Sequence, residues 1–314
     1  MQEIDVSVVI PLYNEKENLI PLFEKLKSVI NQINKKFEII FVDDGSTDGS
    51  FEILKEIKSK EKELVKVVKL SRNFGQTSAL QAGIDIAKGE IIITMDADLQ
   101  NDPEDIPRLL NEIEKGADVV SGWRYKRKDP FWLKIASKIA NKIIASLTGV
   151  NLHDFGCTLK AYKAKYLKRM KLYGELHRFL PALLAWQGCK ITEIKVKHNK
   201  RLHGKSKYGV SKIFRVIPDI IIAKFYHSGF KTPIQQIGFI GILSFLIALI
   251  SGILTIWMKL KRGIDMTGNP LLYLTILAII CGFLLIILAI IGEMICYTAY
   301  LQEKFPIYVT EEIL

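Results

Sequence analysis

The sequence predicts an α/β domain with a largely parallel sheet, followed by a membrane domain with two spanning helices. In the first part, short β-branched runs alternate with segments of helical periodicity, and polar clusters follow the strands. In the second part, residues 237–258 and 270–292 carry no charge. Each stretch is long enough to cross about 30 Å of hydrocarbon as a helix, so together they predict a hairpin that enters and leaves on one side of the membrane.

Strands and helices alternate in the first part. The strands are predicted at Val6–Ile10, Glu38–Val42, Val65–Leu70, Ile91–Met95 and Val119–Ser121. The helices are predicted at Glu17–Ile33, Ser50–Ser59, Thr77–Ala87 and Pro103–Glu114. Because a parallel strand pair requires a crossover connection, this alternation indicates a sheet with helices on both faces. Ligands of such sheets bind beyond the carboxyl ends of the strands.

Polar residues follow each of the first three strands. Pro11-Leu-Tyr-Asn-Glu comes after the first, and Asp43-Asp-Gly-Ser-Thr-Asp-Gly-Ser comes after the second. Ser46 or Thr47 is predicted to cap the next helix, although capping requires only one residue of this acidic turn. Arg72 follows the third strand, where it could meet a phosphate. The sequence has neither a P-loop nor the glycine pattern of a dinucleotide fold, which disfavours both classes.

The fourth strand is followed by Asp96, Asp98 and Gln100. Alternation along an extended chain predicts that these three side chains point the same way. Carboxylate and amide oxygens favour Mg²⁺ or Mn²⁺, and such a cation usually bridges the protein to phosphate. The alternative is a pair of surface acids in the turn before a helix, with Asp102 at the N-cap and Pro103 at the first helical position.

The net charge of +11 is unevenly distributed along the chain. Residues 1–114 have 14 Lys and Arg against 22 Asp and Glu, residues 115–215 have 24 against five, and residues 216–314 have six of each. The basic middle section predicts an anionic partner, which is phosphate, lipid headgroups or nucleic acid. Its position beside two predicted spans favours lipid phosphate, so no nucleic-acid partner is expected.

The sequence also bears on the compartment. The four cysteines have no paired spacing, so neither a disulfide framework nor a zinc site is predicted, and a reducing compartment is favoured. The amino terminus lacks the basic flank and apolar run of a signal peptide. Basic residues occur at both ends of the first span, so charge bias leaves the orientation open. The cysteines and the amino terminus favour a cytoplasmic first domain.

Two further segments are predicted to lie in the membrane interface. Residues 131–148 place three lysines on one helical face and isoleucines opposite, which is typical of an interfacial helix and also of a surface helix in a soluble domain. Residues 212–232 form the second segment and lead into the first span. The predicted organisation is therefore a soluble domain over 1–211, this interfacial helix, and a membrane domain over 233–314 that ends in a short tail.

Three ordered motifs carry a family resemblance: Val-Val-Ile-Pro-Leu-Tyr-Asn-Glu, Val-Asp-Asp-Gly-Ser-Thr-Asp-Gly-Ser and Met-Asp-Ala-Asp-Leu-Gln. In this order and spacing they resemble the family 2 glycosyltransferases of the GT-A fold, a Rossmann-like α/β architecture. More closely, the chain resembles the polyprenyl-phosphate glycosyltransferases, which include the bactoprenol glucosyltransferases and the dolichyl-phosphate mannose synthases. The resemblance implies an inverting, metal-dependent enzyme that moves one sugar from a nucleotide sugar to polyprenyl (undecaprenyl) phosphate.

The resemblance also implies roles for individual residues. Donor binding is implied for Pro11, Tyr13, Glu15, Asp43, Asp44, Arg72 and Asp96. Mg²⁺ or Mn²⁺ is implied at Asp96, Asp98 and Gln100, and catalytic roles are implied for Asp96, Asp98 and Asp154. Acceptor phosphate binding is implied for Arg124, Lys134, Ser137, Arg201, Ser206 and Lys207, and a sugar or phosphate contact for Arg178.

Some of these assignments have alternatives. The match at Lys134 is loose, because the family often has Arg-Lys where this chain has Leu-Lys. Asp154 is expected to position the sugar or acceptor rather than to act as a base, and its alternative is a helix cap or a local salt bridge with Lys160. His177, next to Arg178, has a structural role as its alternative.

The chemistry of such a transfer follows from charge. Loss of a nucleoside diphosphate builds negative charge, which a divalent cation and basic side chains stabilise. A lipid monophosphate is already an anion at neutral pH and needs no general base. A processive polysaccharide synthase is the enzymatic alternative, but its Gln-x-x-Arg-Trp motif is absent, since no tryptophan here follows an arginine. A non-catalytic membrane scaffold is the other alternative, and it has no use for the acidic cluster.

The sugar and the assembly are the least determined features. The two-span tail implies UDP-glucose or a close relative as donor, with GDP-mannose as the second candidate. The resemblance further implies a multi-pass protein of the plasma (inner) membrane with its catalytic domain and both termini in the cytoplasm. A homo-oligomer is expected, and the bactoprenol relatives suggest a tetramer.

Overall fold

The structure, a computed structural model, describes residues 4–125, 141, 144–146, 148–172, 176–199, 233–263, 268–301 and 310–314. The chain divides into two compact units. The first unit comprises Met1–His227 together with Pro306–Leu314, and the second comprises Ser228–Phe305.

The first unit is an α/β domain, as predicted. Its first half contains β1 (Val6–Leu12), α1 (Lys16–Ile30), β2 (Phe37–Asp43), α2 (Ser50–Lys60), β3 (Val65–Leu70), α3 (Gln76–Ile86) and β4 (Ile91–Thr94). Its second half contains a 3₁₀ turn at Pro103–Asp105, α4 (Ile106–Glu114), β5 (Val119–Trp123), β6 (Lys160–Lys163), α5 (Ala164–Leu167), a second 3₁₀ turn at Leu176–Arg178, α6 (Leu180–Trp186) and β7 (Ile191–Lys195). The last strand is β8 (Thr310–Ile313). All five predicted strands and all four predicted helices are present, with small shifts at their ends.

The eight strands form one sheet in the order β7-β5-β6-β4-β1-β2-β3-β8. β6 is antiparallel to β4 and β5, and β8 is antiparallel to β3, while the other pairs are parallel. The carboxyl ends of β1, β2, β4 and β5 therefore meet the amino end of β6 at one edge of the sheet. We call this the site edge, because the predicted polar clusters follow these strands.

Helices cover both faces of the sheet. Side chains of β1 alternate between the faces, with Val6, Val8 and Ile10 in one buried cluster and Val9 in the other. The first cluster also contains apolar residues of α1, α2 and α4, and the second contains those of α3 and α6. At Gly83 the helix α3 lies so near the sheet that an added Cβ would come within 2.3 Å of Val9 Cγ1. This close packing holds α3 against the sheet, and α3 starts at the site edge because it follows the carboxyl end of β3.

The strand β8 corrects the predicted domain organisation. The sequence analysis assigned the segment after the second span to the membrane domain, whereas it pairs with β3 in the sheet. Leu314 N–H donates to Val67 O at 2.9 Å, and Lys69 Nζ contacts Glu311 Oε1 at 2.9 Å. The strand was missed because it is short and polar and its partner is distant in the sequence.

The second unit contains two long apolar helices, α7 (Pro233–Arg262) and α8 (Pro270–Leu301). Within them, Ile237–Arg262 and Pro270–Ile295 are long and apolar enough to be candidate membrane spans. Small and hydroxylated residues line their contact, where Ser251 and Thr275 hydroxyls lie 2.9 Å apart. Most of the large apolar side chains of both helices are exposed, unlike those of a core helix in a soluble protein. These features make the pair a hairpin candidate.

Candidate active site

Two turns at the site edge, after β1 and after β2, are joined by hydrogen bonds. The backbone N–H of Asn14 donates to Ser46 Oγ at 2.8 Å, and the backbone N–H of Thr47 donates to Asn14 Oδ1 at 2.8 Å. Asn14 has a left-handed backbone with φ of 56°, which asparagine tolerates better than most residues. Pro11, Tyr13 and Glu15, predicted to bind the donor, lie on or next to this first turn.

The same hydrogen bonds correct the predicted cap of α2. The helix begins at Ser50 after Gly49, which has φ of 89°, so neither Ser46 nor Thr47 is its N-cap. Asp48 accepts from the backbone N–H of Ser50 at 3.0 Å instead. Ser46 and Thr47 hold the first turn, a role that local spacing could not indicate.

Asp43 and Asp44 have different environments. Both carboxylate oxygens of Asp44 accept hydrogen bonds from backbone N–H groups of the turn after β3. The N–H of Phe74 donates at 2.7 Å and the N–H of Gly75 donates at 2.9 Å. Asp43 is fully buried, and one oxygen accepts the backbone N–H of Ser46 at 3.0 Å. Burial raises the pKa of Asp43 above its ordinary value. Asp44 thus organises the site edge, while Asp43 Oδ2 has no hydrogen-bond partner among the described residues.

Arg72 lies beside this pair of acids. Gly45 permits the approach, since an added Cβ would lie 2.6 Å from the carbonyl carbon of Arg72 and Gly45 also has φ of 72°. The Arg72 guanidinium lies 4.3 Å from the centre of the Phe74 ring and is exposed at the site edge. A guanidinium there suits contact with a phosphate.

The acidic cluster after β4 differs from its predicted geometry. β4 ends at Thr94, and Leu99 has a left-handed backbone with φ of 60°, so the segment turns instead of continuing as an extended strand. The argument from strand alternation was therefore wrong here. Asp96 Oδ1 accepts from Gln76 Nε2 at 2.8 Å, and Asp98, which is 5% exposed, accepts the backbone N–H of Gln100 at 3.1 Å. Asp102 caps the following 3₁₀ turn, with Pro103 at its first position, as the alternative interpretation expected, whereas Asp98 is not the surface acid of that alternative.

This cluster fits a divalent cation that is held partly by the protein and partly by the phosphate oxygens of a bound molecule. Asp96, Asp98 and Gln100 supply hard oxygen atoms, and the part of the chain that the structure describes has no group of three or more His, Cys, Asp or Glu residues able to hold a metal. Mg²⁺ and Mn²⁺ sites with one or two carboxylates are usually completed by phosphate oxygens and water. The oxygen atoms of these three side chains therefore suit a cation that is bound together with a diphosphate.

Arg124 and Asp154 form a two-pronged ion pair at the site edge. Arg124 Nε donates to Asp154 Oδ2 at 2.7 Å and Nη2 donates to Oδ1 at 2.9 Å. Their side chains are 13% and 6% exposed. Asp154 also accepts the backbone N–H of Gly156 at 3.1 Å. The sequence analysis gave the two residues separate roles and named Lys160 as the alternative partner of Asp154, whereas the structure joins Asp154 to Arg124.

Glu193 on β7 supports this pair and was missed. Its carboxylate accepts the backbone N–H groups of His153 at 3.0 Å and Asp154 at 3.1 Å, and lies 2.7 Å from His153 Nδ1. The His153 ring stacks on Trp123 with 4.0 Å between ring centres. Ile-Thr-Glu-Ile-Lys resembles an ordinary strand, so nothing in the sequence marks this glutamate.

His177 and Arg178 lie in the second 3₁₀ turn. His177 is buried, and its Nδ1 lies 2.7 Å from Thr77 Oγ1 near the start of α3. This contact agrees with the structural role named as the alternative for His177, which stays a prediction. Arg178 is half-buried beside it. Lys134, Ser137, Arg201, Ser206, Lys207 and the interfacial helix over 212–232 lie outside the described residues, so their predicted roles stay predictions.

The mostly parallel sheet, with paired acids and a buried arginine at its strand ends, agrees with the GT-A glycosyltransferase class that the sequence predicts. The sequence and structure comparisons specify the class further. The chain belongs to glycosyl transferase family 2, whose family model matches residues 7–171. The predicted family and fold are thereby confirmed.

Similar proteins cover most or all of the chain. A dodecaprenyl-phosphate galacturonate synthase of Rhizobium johnstonii is 40% identical over 100% of this chain and 94% of its own length. An undecaprenyl-phosphate 4-deoxy-4-formamido-L-arabinose transferase of Aeromonas hydrophila is 36% identical over 92% of this chain and 88% of its own length. A glucosyl-3-phosphoglycerate synthase from Mycobacterium tuberculosis, solved with Mn²⁺ and UDP-glucose, has a TM-score of 0.54 at 17% identity over 70% of this chain and 79% of its own. This last likeness supports the fold alone.

Proposed function

We propose that the enzyme transfers one sugar from a nucleotide-sugar donor to a polyprenyl phosphate at a membrane surface. The observation that carries this proposal is the meeting of two kinds of site at one edge of the sheet. Asp96 and Asp98 suit a cation on a diphosphate, and Arg124 suits an anionic acceptor. The names of relatives that match nearly the whole chain, candidate spans included, support the same reaction.

The donor half of the site consists of the acidic turns. Asp96, Asp98 and Gln100 would hold Mg²⁺ or Mn²⁺, which supplies Lewis-acid stabilisation of the departing diphosphate. Arg72 contributes a second positive charge to the diphosphate. The buried Asp43 offers its unpartnered oxygen to an N–H or O–H group of the nucleoside, because a buried acceptor without a donor is costly.

The acceptor half requires orientation more than proton transfer. A lipid monophosphate is fully ionised above pH 7, so its oxygen can attack the anomeric carbon directly and invert it. Asp154 already accepts the Arg124 fork and the backbone N–H of Gly156, and this occupation suits a residue that fixes Arg124 rather than a general base. We therefore assign Asp154 to positioning.

The transfer assay identifies the sugar. UDP-glucose is the donor predicted from the resemblance, UDP-galacturonate has the support of the relative at 40% identity, and GDP-mannose tests the alternative. Purified protein in detergent is incubated with Mn²⁺, undecaprenyl phosphate and one donor at a time, including the UDP-linked formamido-arabinose. We expect a solvent-extractable lipid-linked sugar from one donor, and no product without the lipid. Failure with every donor, together with no binding of UDP, would refute the proposed function.

We also propose that the candidate spans form a membrane hairpin with the catalytic domain in the cytoplasm. The segments before and after the spans belong to one sheet, since β8 pairs with β3. The chain between them must then cross the membrane an even number of times, which agrees with two spans. The pairing of β8 with β3 thus supports placing both ends of the hairpin on one side of the membrane, and the choice of the cytoplasmic side rests on the unpaired spacing of the cysteines and the amino terminus.

Cysteine labelling in intact bacterial cells tests this topology. Lys261→Cys, exposed at the end of α7, is expected to react with a membrane-impermeant maleimide in whole cells. Lys60→Cys, exposed at the end of α2, is expected to react only after lysis. The unsubstituted protein gives the background from its own cysteines, of which Cys157 and Cys189 are buried. Labelling of Lys60→Cys in whole cells would contradict the proposed orientation.

A further inference from the structure

Lys160 is a buried lysine at the site edge. It begins β6 and lies opposite Thr94 of β4 and Ser121 of β5. Its side chain is 2% exposed, and Nζ donates to Phe155 O at 3.0 Å and to Arg178 O at 3.4 Å. Both acceptors are neutral carbonyls.

Packing alone does not account for an ammonium at this position. A charge removed from water is expensive unless an opposite charge compensates it. The nearby carboxylate of Asp154 is already held by Arg124. A methionine would fill nearly the same volume without that desolvation cost. We therefore look for the role of the ammonium group in the two backbone segments that its hydrogen bonds connect.

On one side, Lys160 reaches the donor half of the site. Arg178, whose carbonyl it contacts, follows His177, and His177 contacts Thr77 at 2.7 Å. Thr77 follows Gln76 at the start of α3, and Gln76 donates to Asp96 at 2.8 Å. These contacts form a continuous path from Lys160 to the acidic cluster.

On the other side, Lys160 reaches the acceptor half. Phe155, whose carbonyl it contacts at 3.0 Å, follows Asp154, and Asp154 holds the guanidinium of Arg124. The lysine therefore bridges two backbone turns that carry residues from different halves of the site.

We propose that Lys160 is a positioning residue that couples the two halves of the site, so that binding of the nucleotide and binding of the lipid phosphate favour one arrangement of both turns. This inference rests on the proposed function. Coupling between two sites requires an element that both ligands bias, and a buried bridge with one hydrogen bond to each turn is such an element.

The charges around Lys160 make this coupling sensitive to pH. Arg124 and Arg178 oppose its charge, Asp154 favours it, and the buried Cys157 thiol is a further titratable group near it. Burial lowers the pKa of Lys160 to about 8 and raises that of Cys157 to about 12. A pKa near 8 means that Lys160 loses its charge between pH 7 and 9.

The test measures the affinity for UDP with and without undecaprenyl phosphate by calorimetry on the full chain in detergent. UDP replaces the sugar donor so that no turnover occurs. In the unsubstituted protein we expect the lipid to lower the Kd for UDP at least about fivefold at pH 7 and to lower it less at pH 9. Lys160→Met should bind UDP alone within about twofold of the unsubstituted protein but show a Kd ratio near 1 at both pH values. Lys165→Met, an exposed lysine in α5, is the matched control and should keep the full ratio.

The outcomes separate this inference from the proposed function. If the unsubstituted protein binds neither UDP nor the lipid, the proposed function fails. If it transfers sugar but Lys160→Met keeps the coupling ratio, or the unsubstituted protein shows no coupling, the inference is overturned. If Lys160 served only to stabilise the fold, Lys160→Met would have a lower thermal midpoint than the unsubstituted protein. Because the substitution removes an uncompensated buried charge, we expect the midpoint of Lys160→Met to be unchanged or higher. Should this variant not fold, a coupling ratio constant from pH 7 to 9 in the unsubstituted protein overturns the inference.

Discussion

Asp98→Asn is expected to lower sugar transfer about a thousandfold and to leave the fold intact. Asparagine has nearly the shape of aspartate and can still accept the backbone N–H of Gln100, so the turn at Leu99 should persist. The substitution removes a negative charge from the set that suits a divalent cation. The diphosphate leaving group then loses the stabilisation that makes its departure fast.

Two measurements assign this loss to the cation. In the variant, raising the Mn²⁺ concentration should restore part of the activity, because a weakened site fills at higher metal concentration. Asp85→Asn is the control, since Asp85 is an exposed carboxylate near the end of α3 and away from the site edge. Full activity of Asp98→Asn at low Mn²⁺ would exclude Asp98 from the metal site.

The fold was largely predictable because its local signals agree with its tertiary packing. The runs at β1 and β2 are buried on both faces, and such runs are typical of parallel strands covered by helices. The strands that were missed, β6, β7 and β8, are short and polar at several positions. Their pairing depends on partners far away in the sequence, so periodicity could not reveal them.

The site was predictable as a set of residue types but not as a set of contacts. Paired carboxylates after a strand indicated a cation, yet the left-handed Leu99 gives them a geometry that strand alternation does not describe. Asp44 was predicted to bind the donor, and its oxygens also hold the backbone of Phe74 and Gly75. Glu193 has no local signal at all, because its importance lies in the distant turn that it holds.

The Arg124–Asp154 pair gives the second large effect. Arg124→Gln and Asp154→Asn are each expected to lower transfer about a hundredfold, since both lose the same oriented guanidinium. The double variant should be no worse than the more damaging single variant, because residues that act as one unit are not additive. Asp154→Asn should also cost about 3 kcal/mol of stability, since it leaves a largely buried arginine without its charge partner.

Asp118→Asn separates the loss of an ion pair from the loss of function. Asp118 contacts Lys163 at 2.8 Å and has a side chain 12% exposed, at the opposite end of β5 and β6 from the site edge. Its substitution should lower the thermal midpoint but leave the activity of the folded protein unchanged.

If Asp154 were instead an independent general base, the effects of Arg124→Gln and Asp154→Asn would multiply to about ten thousandfold in the double variant, and the rate of Asp154→Asn alone would rise with pH as the solvent supplied the missing base. If the rate of Asp154→Asn does not rise with pH and the losses are non-additive, positioning remains the role of Asp154. Only an aspartate that acts through Arg124 becomes dispensable once Arg124 is gone.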